Sequence, residues 1–242
     1  MRISRLYVDT SLQPGLALDL PEQASHYLAN VLRLGSGDTV HLFNNQDGEY
    51  SAAVDQLSRK RVTVLLKEQI KTPLPVKLSV HLAVGLSRGD RMDYLIQKAT
   101  ELGVMKISPL YTEFGEVKFK QEKRLDNKLR HWRQVAISAC EQSGRLSVPL
   151  ICEPRSFSDW LEGVDEAPKI ILQPGGNKRL AELAVNDALC VLSGPEGGFS
   201  EQELALAEQA GFLRTGMGPR VLRTETAPIA ALAILQACFG DI

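Results

Sequence analysis

The chain has 242 residues, 44% of them hydrophobic and 24% charged, with a formal net charge of −1. That composition excludes a disordered or fibrous chain and supplies core for one large domain or two modest ones. Four scattered cysteines (Cys140, Cys152, Cys190, Cys238) and four scattered histidines form no ligand spacing, so no metal site is expected and the thiols should be reduced and mostly buried. The charged residues 1–9 do not suit a signal peptide, and the apolar stretch 227–239 is short of the roughly 18 residues of a membrane span, so a soluble cytoplasmic protein is expected.

The first 70 residues read as mainly β. Runs rich in Val, Leu, Thr and Tyr at 2–8, 39–43, 49–54 and 61–66 are separated by turn signals at 35–38, 44–48 and 58–60, with one helix at about 21–32. This pattern suits a small barrel over residues 1–72. Two prolines in Lys71-Thr-Pro-Leu-Pro75 then mark a linker. From residue 76 to 242 strands alternate with helices, the rhythm of an α/β domain with a mostly parallel sheet. Strands are expected at 77–85, 105–110, 170–173, 189–193 and 212–217. One helix should start at a capping Asp90 and end at Gly103, and a longer one should span 122–143 with Gly144 after it. Ser200-Glu-Gln-Glu203 is a capping box for a helix over 201–210. The final stretch, 228–239, is apolar almost all round and should be buried on more than one side.

Charge is unevenly spread. Residues 77–155 carry fourteen Lys/Arg against nine Asp/Glu, whereas 156–242 carry six against twelve, so a basic face on a near-neutral protein is possible. Lys118, Lys120, Lys123, Arg124, Lys128, Arg130 and Arg133 fall within sixteen residues that hold only two acids. Such a run is either a solvated helix face or a set of phosphate contacts.

Three expected strands run into glycine- and proline-rich loops: Gln173-Pro-Gly-Gly-Asn177, Ser193-Gly-Pro-Glu-Gly-Gly-Phe-Ser200 and Gly216-Met-Gly-Pro-Arg-Val-Leu-Arg223. Ligands of open α/β sheets bind beyond the carboxyl ends of strands, and glycine lets backbone approach them closely. Together the loops suggest one pocket lined largely by main chain. No Gly-Lys-Ser/Thr ending marks a P-loop, and Gly216-Met-Gly lacks the third glycine and the ribose-binding acid of a dinucleotide site. Glu196 inside its loop would repel phosphate but tolerate a cationic sulfonium. The residues alone reach a nucleoside-like ligand and stop there.

Ser193-Gly-Pro-Glu-Gly-Gly-Phe-Ser200 followed by Gly218-Pro-Arg-Val-Leu-Arg-Thr-Glu-Thr-Ala227 resembles the paired signature of the RsmE family. These are SPOUT-class enzymes that methylate N3 of a uridine in bacterial 16S ribosomal RNA. Ala99-Thr-Glu-Leu-Gly-Val104, Glu141-Gln-Ser-Gly-Arg145 and His26-Tyr-Leu-Ala-Asn-Val-Leu-Arg33 also match family segments, so the resemblance covers nearly the whole chain. It implies a PUA-like RNA-binding β-barrel at 1–72. It further implies an α/β SPOUT domain at 76–242 with a deep trefoil knot, a homodimer through that domain, and S-adenosylmethionine as cofactor. The implied cofactor residues are Leu172, Gln173, Pro174 and Gly175; Ser193, Gly194, Pro195, Glu196, Gly197 and Gly198; and Met217, Gly218, Val221, Leu222, Arg223, Thr224, Thr226 and Ala227. Leu172, Met217 and Leu222 would pack on the adenine.

Beside that signature the basic run becomes a set of candidate contacts to 16S ribosomal RNA, within the small ribosomal subunit, with Arg5, His26 and Arg33 as further candidates. Methylation at N3 requires loss of the N3 proton, so charge develops on the flanking carbonyl oxygens. Arg223 is the candidate to stabilise that charge, with Thr224, Glu225 or Thr226 orienting the base and Arg88 as a second cation. The alternatives are a SPOUT enzyme acting on another RNA and a non-catalytic knotted RNA-binding dimer.

Overall fold

A computed structural model of the chain describes residues 3–58, 61–119, 121–165, 168–176 and 178–242. Two units emerge: Met1–Pro75 with Cys140–Val148, and Val76–Ala139 with Pro149–Ile242. The short segment Cys140–Val148, expected from sequence to belong with the second domain, therefore goes with the first.

The first unit holds β1 (Arg5–Tyr7), β2 (Ala17–Asp19), α1 (Glu22–His26), β3 (Thr39–Asn44), β4 (Gly48–Leu57) and β5 (Val62–Lys71). They form one mixed sheet in the order β1-β3-β4-β5-β2, in which only β1 and β3 run parallel. Period-two alternation sends Val40 and Leu42, Ala52 and Val54, and Val62, Val64 and Leu66 to one face. Across strands Val40 lies opposite Ala52, which in turn faces Leu66. These residues build the unit's core with Leu6, Val8, Leu20 and Leu28. The expected helix at 21–32 is α1 followed by a single π turn at Tyr27–Val31. Strand β5 continues to Lys71, where the linker was expected to begin, and β2 carries too little pattern to have been foreseen.

The second unit contains β6 (Ser79–Gly85), α2 (Arg91–Glu101), β7 (Val104–Tyr111), α3 (Glu122–Ser143), β8 (Leu150–Ile151) and β9 (Arg155–Ser156). It continues with α4 (Phe157–Leu161), β10 (Lys169–Leu172), β11 (Ala188–Ser193), α5 (Glu201–Gln209), β12 (Phe212–Thr215) and α6 (Thr226–Phe239). The last residues of α3, from Cys140 on, are those that cluster with the first unit. Seven strands pair in parallel in the order β12-β10-β11-β6-β7-β8, with β9 also on β7. Central β6 is buried from Val80 through Gly85, as a strand covered on both faces must be.

Several local expectations change. Asp90 stands at the start of α2 without capping it through its side chain. Strand β12 stops at Thr215, freeing Gly216 and Met217 for the loop. The two-residue strands β8 and β9 and the single-turn α4 have no periodicity that a sequence could display. The capping box of α5 is present: Ser200 Oγ accepts from Glu203 N–H at 3.2 Å, and Glu203 Oε2 accepts from Ser200 N–H at 2.9 Å.

Helix α6 buries Pro228, Ala231, Leu232, Leu235 and Gln236 on one side, while Ile234, Ala237 and Cys238 face outward. Burial on several sides, expected from its apolar composition, is not met within the chain. Cys238 is correspondingly exposed and Cys152 half-buried, leaving Cys140 and Cys190 as the buried thiols. Burial pushes the Cys140 thiol up to about 11, partly offset by Arg145 and Arg5, so it stays protonated and unreactive. Among the described residues no helix is long and apolar enough to cross a membrane, and no three His, Cys, Asp or Glu side chains gather as metal ligands.

Candidate active site

The loops after β10, β11 and β12 meet at the carboxyl ends of their strands and enclose a cavity of about 380 Å³. Backbone hydrogen bonds lock them together. Gln173 N–H donates to Thr215 O at 3.1 Å, and Gly216 N–H donates to Lys178 O at 3.1 Å. At Gly176 the chain passes so close to the β12 loop that a Cβ would lie 2.5 Å from Gly216 N and 2.6 Å from Thr215 C. Any side chain there would force the two loops apart. Thr224 ties the third loop to the second: its hydroxyl donates to Gly194 O at 2.8 Å and lies 3.3 Å from Ser87 Oγ.

Main chain and apolar side chains form most of the wall, including Leu172, Phe199, Met217 and Leu222. Five charged residues complete it: Arg91, Arg220 and Arg223 against Glu196 and Glu225. Glu196 pairs with Arg91 and also receives the Arg88 N–H at 3.4 Å. Burial raises its carboxyl, but the bonds from backbone N–H groups and Arg91 outweigh that and hold it below the ordinary carboxylate range. Its charge is thus already matched by a cation inside the protein. Glu225 is different. One carboxylate oxygen, Oε2, is buried and has no hydrogen-bond partner among the described residues. Glu225 also lines the cavity, while its Oε2 is shielded from the open space.

Of the sequence-derived cofactor residues, the cavity gathers Leu172, Gln173 and Pro174; Ser193, Gly194, Pro195, Glu196 and Gly198; Met217, Gly218, Val221, Leu222, Arg223 and Thr224; and Ala227. Gly175, Gly197 and Thr226 do not line it. Gly197 faces the other way: a Cβ there would lie 2.8 Å from Phe114 Cβ, so a neighbouring turn explains the glycine. Asn177 lies outside the described residues. Arg223 and Glu225 both reach the cavity, from a turn in which Arg223 O accepts from Thr226 and Ala227 N–H at 2.9 and 3.0 Å. Arg88 does not reach it and pairs instead with Glu116 on the exterior. The loop that carries Arg88 was the right one, but Arg91, the first residue of α2, is the cation that reaches the cavity. Arg220 and Phe199 were also missed as lining residues, although both lie inside the quoted motifs.

The candidate RNA contacts divide. Arg5 is a structural residue. Its Nε and Nη2 fork onto Glu49 at 3.0 Å each, and its nitrogens also donate to the carbonyls of Cys140, Glu141 and Arg145. Only 11% of that side chain is exposed, so the expectation of an RNA contact fails for lack of surface. Lys128 is likewise engaged, 3.0 Å from Asp93 and 5.4 Å from the Trp132 ring centroid. His26, Arg33, Lys118, Lys123, Arg124, Arg130 and Arg133 are exposed, and Lys120 lies outside the described residues. Arg33 adopts φ 55°, the single positive value for a non-glycine among the described residues.

A parallel sheet with a ligand cavity beyond its strand ends, accompanied by a small mixed sheet, defines a class, and comparison with known proteins gives that class its name. The RNA methyltransferase domain model matches residues 73–236, and the RNA methyltransferase PUA domain model matches residues 20–67. Ribosomal RNA small subunit methyltransferase E of Buchnera aphidicola subsp. Schizaphis graminum is 35% identical over 100% of this chain and 98% of its own length. The enzyme of that name from Neisseria gonorrhoeae, solved bound to S-adenosyl methionine, superposes with a TM-score of 0.91 at 33% identity, covering 100% of both chains. A methyltransferase of Legionella pneumophila, solved with the bound cofactor SAM, gives a TM-score of 0.95 at 37% identity, again covering 100% of both. This chain belongs to the ribosomal RNA small subunit methyltransferase E family.

Proposed function

We propose that this protein transfers a methyl group from S-adenosylmethionine to N3 of a uridine in bacterial 16S ribosomal RNA. One observation carries the site assignment: Arg223 and Glu225 both line a cavity built largely from main chain and apolar side chains beyond the ends of the parallel strands. The residues present fit the cofactor. Leu172, Met217 and Leu222 offer an apolar slot for adenine, and glycine- and proline-rich backbone offers amide and carbonyl groups. S-adenosylmethionine supplies an electrophilic methyl group on a sulfonium. Arg223 holds the uracil carbonyl oxygens and stabilises the negative charge that spreads over them as N3 loses its proton. The Glu225 carboxylate accepts the N3–H hydrogen bond, which aligns the base and gives the proton somewhere to go. Thr224, tied to Gly194 O, keeps Arg223 and Glu225 in register with the cofactor loop. The base enters from a loop or is flipped out of a helix, since no duplex fits such a cavity.

The remaining architecture follows the same family pattern. Residues 1–72 serve as a PUA-like barrel that binds RNA, and 76–242 as the SPOUT domain. A trefoil knot is supported by the course of the chain. It leaves edge strand β12, presses Gly216 against Gly176, reaches Gly194 just past the inner strand β11, and then packs α6 beside α2 and the turn Leu180–Glu182. A homodimer is supported by the outward apolar stripe of α6 at Ile234, Ala237 and Cys238. With 16S ribosomal RNA in the small subunit as substrate, the protein works in the cytoplasm.

The test is methylation of small-subunit RNA and of assembled 30S particles from a strain lacking this protein, read by nucleoside mass spectrometry. New N3-methyluridine in 16S RNA is expected. Methyl transfer to a different RNA, or none despite cofactor binding, would overturn the assignment.

A further inference from the structure

We propose that Phe114 is a stacking platform for a base of the RNA substrate at the rim of the cavity; this rests on the RNA methyltransferase function above and assigns one more residue to its substrate site. Phe114 is 49% exposed, yet its turn is held firmly. Gly115 N–H donates to Thr112 O at 3.1 Å, closing the turn, and Glu113 N–H donates to Glu203 Oε1 at 2.9 Å. Glu203 is itself buried, and its other oxygen receives the Ser200 N–H at the end of the glycine loop. The same carboxylate therefore sets the heights of the cavity loop and of the turn that presents Phe114.

Contact between the two is direct. A Cβ on Gly197, the residue between cavity-lining Glu196 and Gly198, would lie 2.8 Å from Phe114 Cβ. Glu116, two residues on, pairs with Arg88, whose N–H in turn reaches Glu196. Three strand-end loops thus converge on a rim where a phenyl ring is left in water. Beyond the turn the chain enters the basic run, with Lys118, Lys123 and Arg124 all exposed. A fixed, solvent-facing aromatic between the cavity and a cationic stretch matches the chemistry of single-stranded RNA. Its bases stack on aromatic faces while its phosphates pair with Lys and Arg. An apolar protein partner would instead call for a wider apolar patch around the ring, whereas Glu113 and Glu116 stand exposed within two residues of it.

Steady-state methylation of 16S RNA would be compared for wild type, Phe114→Ala and Phe114→Trp, with cofactor affinity measured by titration calorimetry. Phe114→Ala should raise KM for RNA about 10-fold, as loss of one base–aromatic stack does, with cofactor Kd and melting temperature unchanged. Phe114→Trp should keep the wild-type KM. An unchanged KM in Phe114→Ala, or equal losses in both variants, overturns the platform while leaving the enzyme assignment intact. A wild type that methylates no ribosomal RNA overturns the function and the platform with it.

Discussion

Two glutamates, one in each unit, are treated in opposite ways. Glu49 of β4 is 1% exposed, and its oxygens meet the Arg5 fork at 3.0 Å, His41 Nδ1 at 2.9 Å and Lys71 Nζ at 3.5 Å. Burial raises its carboxyl, but Arg5 above all, with Lys71 and His41, more than offsets this and holds it below the ordinary range. Glu225 stands at the start of α6, makes no cap bond with its side chain, and leaves Oε2 buried and unmatched. The first acid belongs to the architecture, and the second lines the cavity. The difference lies in whether the protein itself completes the hydrogen bonds, since a carboxylate with every acceptor site filled has nothing left to offer a substrate.

That contrast can be broken from either side. Arg5→Ala should have the largest effect, because it leaves Glu49 buried without its main partner and uncaps the carbonyls of Cys140, Glu141 and Arg145. A loss of about 3–5 kcal/mol is expected, read by urea unfolding and by amide exchange in residues 39–54, with cofactor affinity unaffected where the fold survives. Glu225→Gln and Arg223→Ala should each lower kcat about 100-fold while leaving stability and cofactor binding near wild type. Should Glu225→Gln instead unfold the protein as Arg5→Ala does, both acids are structural and the contrast disappears. Near-normal turnover in Arg223→Ala with cofactor still bound would remove Arg223 from catalysis. Gly176→Ala, by pushing a Cβ onto Gly216, should cost about 1–3 kcal/mol and weaken cofactor binding, measured by thermal melts and calorimetry.

The smallest effect concerns pH. Because Glu49 is held below its unfolded value, its contribution is complete above the ordinary glutamate value of about 4.3 and fades as pH falls through the folded one. Glu141 runs the other way. Burial raises its carboxyl, and the Tyr7 N–H and Arg5 offset that only in part. A raised carboxyl favours folding in its protonated form, so its cost sets in as pH rises past the ordinary value and is complete above the folded one. Glu141→Gln keeps an acceptor for Tyr7, and should raise the melting temperature at about pH 8 but not at about pH 4. Equal shifts at both would show that the charge of Glu141 does not matter.

By itself the sequence determined what neighbours along the chain decide. Helix α3 occupies 122–143 as its apolar spacing and following glycine require, the Ser200 capping box forms, and the three glycine-rich loops fall at strand ends. Much of the cavity wall was legible because close backbone packing leaves glycine and proline in the sequence. Tertiary structure alone decided which charges are available. Arg5 reads as one more basic residue until the fold brings it to Glu49, 44 positions away, and to the Cys140 carbonyl, 135 positions away. Gly197 reads as part of the cofactor motif until Phe114 is found against it, and Arg91 reads as helix surface until Glu196 is found beside it. Periodicity and capping act within one or two turns of chain, whereas the pairing of a charge depends on residues whose separation carries no local signal.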